Sequence, residues 1–110
     1  MADEISIEEL FHRMPKAFIP EAAHGVDAVL QFHLTGAEAS DWAVTIRDDK
    51  CTVENGTSPS PTMTLTADSQ DYKDIITGKQ DAMTAFMQQK VKLTGNLNMA
   101  LGLMNYFKLR

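Results

Sequence analysis

The chain has 110 residues, of which 44% are hydrophobic and 23% are charged, and its formal net charge is −5 at pH 7. These values are typical of one globular domain over residues 1–110, and they exclude a disordered tail, a collagen-like fibre and a disulfide-rich scaffold. The acidic balance argues against nucleic acid as a partner, because nucleic-acid binders gain most of their affinity by neutralising phosphates. A single cysteine and an N-terminus without an apolar signal segment lead us to expect a cytoplasmic protein.

The first predicted element is an amphipathic helix over residues 6–14. Ser6 and Glu9 have the spacing of a capping box. Apolar residues then follow at helical spacing, at Ile7, Leu10, Phe11 and Met14. We expect Pro15 to end this helix, because the residue before a proline avoids helical dihedral angles. Residues 20–24 predict one further turn.

The hydrophobic period then changes from about 3.6 to 2, which is typical of strands with one buried face. The alternation predicts four short strands, at residues 28–35, 42–47, 51–54 and 62–66. Asp48 and Asp49 predict a turn between the second and third of these strands. Consecutive alternating strands favour a mostly antiparallel sheet with one wetter face.

The second half of the chain is mainly helical in pattern. Asp68 is a suitable N-cap for a helix through about Thr77, and Asp81 for the next helix. The apolar side of that next helix carries Met83, Phe86 and Met87. Residues 91–93 predict a fifth strand, and residues 97–108 predict a last helix. The whole pattern is that of an α+β domain, a sheet with helices gathered on one side.

The last predicted helix, residues 97–108, is apolar around most of its circumference. A surface helix normally has its apolar stripe on one side only, so this helix needs cover from a groove, a second subunit or an apolar ligand. Methionines are concentrated in the same half of the chain, at positions 63, 83, 87, 99 and 104. Flexible thioethers suit surfaces that adapt to varied apolar partners, although ordinary core packing explains the same pattern.

We predict no catalytic residue, no metal ligand and no cofactor, and therefore no enzyme. His12, His24 and His33 have none of the spacings that zinc ligands use. Cys51 lies on the apolar side of a predicted strand, where a buried and inert thiol is expected. The chain also has no glycine-rich phosphate loop.

Six short motifs lie between residues 62 and 104: T-x-T at Thr64, the pair Asp71-Tyr72, T-G-K at Thr77, A-F-x-Q at Ala85, K-x-K-x-x-G-N from Lys90, and an alanine at position 100. In this order they resemble the sterol carrier protein type-two domain, a family of nonspecific lipid-transfer proteins. The first half of the chain agrees with that family more loosely. One departure is Gln89, where many members of the family have glycine.

The resemblance implies a five-stranded, mostly antiparallel sheet with helices on one face and an apolar tunnel between them. Such a tunnel would hold a fatty acid, an acyl-CoA, a sterol or another apolar lipid, with no resident cofactor. Carried onto this chain, the lipid-binding residues would be Phe32, Trp42, Val44, Leu65, Met83, Phe86, Met87, Gln88, Leu97, Leu101, Met104 and Phe107. The strand residues among them would form the tunnel floor or the adjoining core.

Two readings of function follow. In the first, the chain is a noncatalytic lipid carrier whose basic residues make brief contact with anionic membranes. Those basic residues are Lys90, Lys92, Lys108 and Arg110. In the second, the chain is an accessory module whose apolar last helix docks on an enzyme of lipid or quinone metabolism, or on a second copy of the chain. The sequence leaves open whether the protein is a monomer or a dimer.

Overall fold

The three-dimensional structure, a computed structural model, describes residues 6–96 and Tyr106. In chain order its elements are α1 (Ile7–Ala17), β1 (Ala28–Thr35), β2 (Ser40–Arg47), β3 (Lys50–Asn55), β4 (Met63–Asp68), α2 (Ser69–Ile76), α3 (Ala82–Met87) and β5 (Val91–Gly95). A 3-10 turn over Gly36–Glu38, which the sequence analysis missed, joins β1 to β2. The predicted α+β class with a five-stranded sheet is confirmed. The predicted last helix, residues 97–108, lies outside the described residues except for Tyr106, which is helical.

The strand order is β3-β2-β1-β4-β5, and every neighbouring pair is antiparallel except β1 with β4. A parallel pair needs a connection that crosses the sheet. Here residues 56–62 make that crossing, and the buried side chain of Gln31 holds them against the sheet. Its amide nitrogen donates to the Gly56 carbonyl at 3.0 Å, and its amide oxygen accepts from the Ser58 backbone at 2.7 Å. The predicted mostly antiparallel sheet is therefore confirmed, with one parallel pair at its centre.

One face of the sheet carries the apolar side chains and the helices. Phe32 on β1 lies opposite both Trp42 on β2 and Leu65 on β4, so these three side chains share that face. Helix α1 packs there through Phe11, whose ring centroid lies 5.1 Å from that of Phe32 and 5.0 Å from that of Trp42. Helix α2 adds Tyr72, 5.6 Å from Phe32 and 5.5 Å from Phe11. These aromatic rings form the centre of the core.

Helix α1 is capped at its start as predicted, with the Ser6 hydroxyl accepting from the Glu9 backbone at 3.2 Å. The prediction that Pro15 ends the helix is wrong, because α1 continues to Ala17. Pro15 lies in the last turn, where its missing N–H removes a single hydrogen bond. Burial of Phe11 and Met14 against the sheet compensates for that loss, since both side chains are almost fully covered.

A polar contact ties the 3-10 turn to two helices. One carboxylate oxygen of Glu38 accepts from the backbone of Ile7 at 2.9 Å, and the other accepts from the Lys73 ammonium. The Glu38 backbone in turn donates to the Ser69 hydroxyl at 3.1 Å. Lys73 is 6% exposed, so its charge depends on partners within the protein. This contact fixes α1 and α2 at one end of the sheet.

Candidate functional site

Helix α3 has only six residues, and both of its ends are fixed by hydrogen bonds. At the start, the Asp81 carboxylate accepts from the backbone and the hydroxyl of Thr84, at 2.9 and 3.1 Å, which confirms the predicted cap. At the end, the Gln89 backbone donates to the Phe86 carbonyl at 3.0 Å and Lys90 to the Ala85 carbonyl at 2.9 Å. These two bonds are a Schellman motif, which satisfies carbonyls that the helix itself cannot. The caps give this short helix a defined position beside the sheet.

The side of α3 that faces the protein is made of small residues, and its large apolar residues face outward. Ala85 is fully buried in the core. In contrast, Met83 is 53% exposed, Phe86 42% and Met87 74%. These three residues, which we call the α3 stripe, follow the i, i+3, i+4 spacing of one helix side. Large hydrophobic side chains seldom stay this exposed without a partner, so the α3 stripe is the leading candidate for a binding surface.

The sheet next to α3 carries apolar residues that are largely buried. Leu65 on β4 pairs with Leu93 on β5, and Val91 follows on the same face. Leu65 and Val91 are each 7% exposed, and Leu93 is partly buried against the core. Tyr106 also packs against this core, and its carbonyl accepts from the Ile19 backbone at 2.8 Å. Tyr106 is therefore bonded to the loop that follows α1.

The structure divides the predicted lipid-binding residues into separate groups. Phe32, Trp42 and Val44 are 0%, 5% and 0% exposed and lie in the packed core under α1, which is the adjoining core rather than an open floor. Leu65 lies nearer to β5, and Gln88 is an exposed residue at the C-cap of α3. Four others lie outside the described residues: Leu97, Leu101, Met104 and Phe107.

The candidate catalytic groups do not converge on one place. His12 lies edge-on to Trp42 at 5.9 Å, whereas His24 contacts Asp49 and His33 contacts Asp41 on other parts of the surface. Burial raises the pKa of the Cys51 thiol to about 11, which keeps it protonated and a poor nucleophile near neutral pH. Across residues 6–96, no group of three or more His, Cys, Asp or Glu side chains is arranged to hold a metal ion.

An open cleft of about 440 Å³ lies at the opposite edge of the sheet, between α1 and β3. Its lining includes His12, Trp42, Val53 and Asn55. The Trp42 indole donates to the Ser40 hydroxyl at 2.9 Å, so the polar atom of this side chain already has a partner. This cleft could not be predicted from the hydrophobic period, because the cleft depends on the 3-10 turn and that turn leaves no periodic signal.

Positive charge is concentrated beside α3. Lys90 and Lys92 are exposed at the start of the edge strand β5, and Lys79 is exposed in the turn before α3. The Lys90 ammonium donates to the side-chain oxygen of Gln80 at 3.4 Å. Gln80 is uncharged, so this contact does not neutralise the charge of Lys90. These lysines lie near two carboxylates, that of Asp81 at the start of α3 and that of Asp71, which accepts from the Gln80 side chain at 3.2 Å. Within the described part of the chain, no helix is long and apolar enough to cross a membrane.

Comparison with known proteins places this geometry in one family. The model of the SCP-2 sterol transfer family matches residues 7–108. Hydroxysteroid dehydrogenase-like protein 2 of Xenopus laevis is 29% identical over 102 residues, which are 92% of this chain and 24% of that protein. The chain therefore spans about a quarter of the length of this curated relative, which carries the domain as one part of a larger protein.

Solved structures agree with this assignment. The solution structure of palmitated SCP2L2 from Aedes aegypti is 27% identical, with a TM-score of 0.74 over 92% of this chain and 93% of that one. The sec-alkylsulfatase Pisa1 from Pseudomonas sp. shares the fold at 24% identity, with a TM-score of 0.78 over 96% of this chain but 16% of that enzyme. The family match covers nearly the whole chain and includes the residues of α2, α3 and β5, so this chain belongs to the SCP-2 sterol transfer family.

Proposed function

We propose that this domain binds a long-chain lipid without covalent chemistry, along the exposed apolar side of helix α3. The observation that carries the proposal is the α3 stripe, three large apolar side chains that are 42–74% exposed. The family match and the palmitate carried by the Aedes aegypti relative support a fatty-acyl ligand. The scattered histidines and the protonated Cys51 support a noncatalytic role for the domain itself.

The affinity of such a site comes mainly from the length of the ligand. Burial of an alkyl chain contributes about 0.8 kcal/mol per CH₂ group, so a site with apolar walls and few polar groups accepts many lipids. In this proposal the α3 stripe provides the apolar wall. Gln88, an uncharged polar residue at the C-cap of α3, would contact the head group in this proposal.

The opposite wall of the site would come from the C-terminal segment. The family resemblance assigns Leu97, Leu101, Met104 and Phe107 to it, and Tyr106, which lies between the last two in sequence, packs against the core. The full-length chain is therefore the form in which binding should be measured.

The first experiment is native mass spectrometry of the gently purified chain, followed by titration with a fluorescent fatty acid. We expect a single saturable site from which palmitate displaces the probe. Phe86→Ser should weaken binding, because it removes a large apolar surface from the proposed wall. Val53→Ser, a change to a partly buried residue near the α1 cleft, is the matched control and should bind as tightly as the unmodified chain. Equal loss of affinity in both variants would refute this placement.

The basic residues beside α3 lead to a second part of the proposal, contact with anionic membranes during lipid uptake. Each lysine near an anionic surface contributes about 1 kcal/mol. Replacing both Lys90 and Lys92 by glutamine should thus weaken binding to vesicles containing phosphatidylglycerol by roughly 30-fold. The matched control replaces Lys16 and Lys50, which are also exposed but lie on α1 and the far edge strand. Binding that is insensitive to salt and to both pairs of substitutions would contradict this part.

The accessory-module reading remains a second candidate, because the exposed α3 stripe is also a suitable surface for a protein partner. Sedimentation of the lipid-free chain separates the two readings. A stable dimer that Phe86→Ser dissociates would favour self-association through α3, whereas a monomer that binds palmitate would favour the lipid carrier.

A further inference from the structure

The described methionines fall into two classes by exposure. Met14 and Met63 are 1% and 0% exposed in the core, whereas Met83 and Met87 are 53% and 74% exposed on α3. The two exposed residues are four positions apart in one helix, so their thioethers lie on the same side of it. Among the described methionines, an oxidant dissolved in water therefore reaches Met83 and Met87 before Met14 and Met63.

We propose that Met83 and Met87 form a reversible oxidation site, at which hydrogen peroxide converts both thioethers to sulfoxides and thereby weakens lipid binding beside α3. The effect on lipid rests on the proposed function, whereas the order of oxidation rests on exposure alone. In each oxidation the sulfur lone pair attacks one peroxide oxygen. The O–O bond breaks, an S–O bond forms, and the peroxide is reduced to water.

The reverse step needs two electrons and two protons. Two thiols of a thiol-dependent reductase supply them, the sulfoxide oxygen leaves as water, and the thiols become a disulfide. The modified side chain then regains its apolar thioether. The change is therefore chemically reversible.

The thiol of Cys51, the cysteine of the chain, does not compete for the oxidant. Thiols react with peroxide as thiolates, and the Cys51 thiol is partly buried on β3, where burial raises its pKa to about 11. Trp42, another oxidisable side chain, is 5% exposed. Within residues 6–96 the fold thus covers Met14, Met63 and Trp42 and exposes the two methionines of α3.

Oxidation at these positions changes the property on which the site depends. A sulfoxide is polar and accepts hydrogen bonds strongly, so covering it with an alkyl chain costs desolvation free energy. Both sulfur atoms belong to the α3 stripe, where Phe86 is the third large apolar residue. We expect the oxidised chain to bind palmitate about tenfold more weakly than the reduced chain.

The test treats the full chain with hydrogen peroxide and follows each methionine by peptide mapping, with palmitate affinity measured in parallel. Met83 and Met87 should be oxidised well before Met14 and Met63. In the double variant Met83→Leu/Met87→Leu, peroxide should leave the palmitate affinity unchanged. This holds whatever affinity the untreated variant has. Treatment of the oxidised chain with a methionine sulfoxide reductase and dithiothreitol should restore binding.

Two results would overturn the proposal. Oxidation of Met14 and Met63 at the rate of the α3 pair would remove its structural basis. An equal fall of affinity in the double variant would assign the effect to another methionine, such as Met99 or Met104. If the reduced chain binds no palmitate, both the proposed function and the predicted effect on affinity are contradicted. Peptide mapping decides separately whether Met83 and Met87 are oxidised before the buried methionines.

Discussion

Gln89 occupies a backbone position that favours glycine, and its replacement tests the structure of α3 directly. Its φ is +62°, in the left-handed region that L-residues seldom adopt. The same motif ends helix α2, where the equivalent residue is Gly78, with a φ of +88°. There the Gly78 backbone donates to the Ile75 carbonyl at 3.2 Å, as Gln89 donates to the Phe86 carbonyl. The two helix ends differ mainly in the residue that takes the left-handed conformation.

The size of the effect follows from two opposing contributions. A left-handed conformation costs an L-residue about 1–2 kcal/mol, and Gln89→Gly removes that cost. Glycine adds about 0.5–1 kcal/mol of conformational entropy to the unfolded chain, which opposes the gain. The Gln89 side chain is exposed, so no packing is lost. We expect a net increase in the free energy of unfolding of about 1 kcal/mol, or roughly 4 °C in Tm for a domain of this size.

The assay is urea and thermal unfolding followed by circular dichroism, with Gln88→Gly as the matched control. Gln88 is the neighbouring exposed glutamine, but its φ is −84°, so glycine has no conformational advantage there. Gln88→Gly should lower the free energy of unfolding by about 0.5–1 kcal/mol. The two substitutions should therefore have opposite signs. If both lower stability equally, position 89 is not left-handed and the Schellman motif at the end of α3 is refuted.

Three other substitutions or measurements test the rest of the fold. Cys51 should react with iodoacetamide at pH 8 about 100-fold more slowly than free cysteine, and its rate should rise tenfold per pH unit until about pH 11. Glu38→Gln should lower the free energy of unfolding by about 3 kcal/mol, because Lys73 stays buried, and adding Lys73→Met should restore most of it. Gly95→Ala should cost more than about 2 kcal/mol, since the new methyl group would lie 2.6 Å from the Thr62 carbonyl oxygen. Urea titration measures the free energy of unfolding of the Glu38 and Gly95 variants. A change below 0.5 kcal/mol in either variant contradicts the packing described.

Local signals in the sequence predicted most element boundaries because each depends on neighbouring residues. Asp68 and Asp81 cap their helices as expected, through bonds to residues two or three positions later. Asp48 and Asp49 form the expected turn, and both have positive φ. The family resemblance also pointed to position 89 as a site where glycine is common, and the structure supplies the physical reason.

Features that depend on distant parts of the chain were not predictable in the same way. The parallel pairing of β1 with β4 requires a connection across the sheet, and Gln31 holds that connection through hydrogen bonds. In the sequence Gln31 is indistinguishable from any other polar residue of an alternating strand. The extension of α1 past Pro15 depends on burial against the sheet. The exposure of the α3 stripe was equally hidden, because helical spacing identifies an apolar side but not the direction in which it points. In α3 the buried side turned out to be the alanines.

The residues of α3 depart from the pattern of a helix selected for stability alone. Such a helix would have polar residues at its exposed positions 83 and 87 and glycine in the left-handed position that follows it, as α2 has at Gly78. Departures from local preference in natural proteins are concentrated at functional sites. Here three of them, two exposed methionines and a left-handed glutamine, fall within seven consecutive residues beside an apolar sheet edge. Packing among the described residues does not require any of them, so their common location supports α3, rather than the cleft at the other edge of the sheet, as the proposed lipid-binding surface.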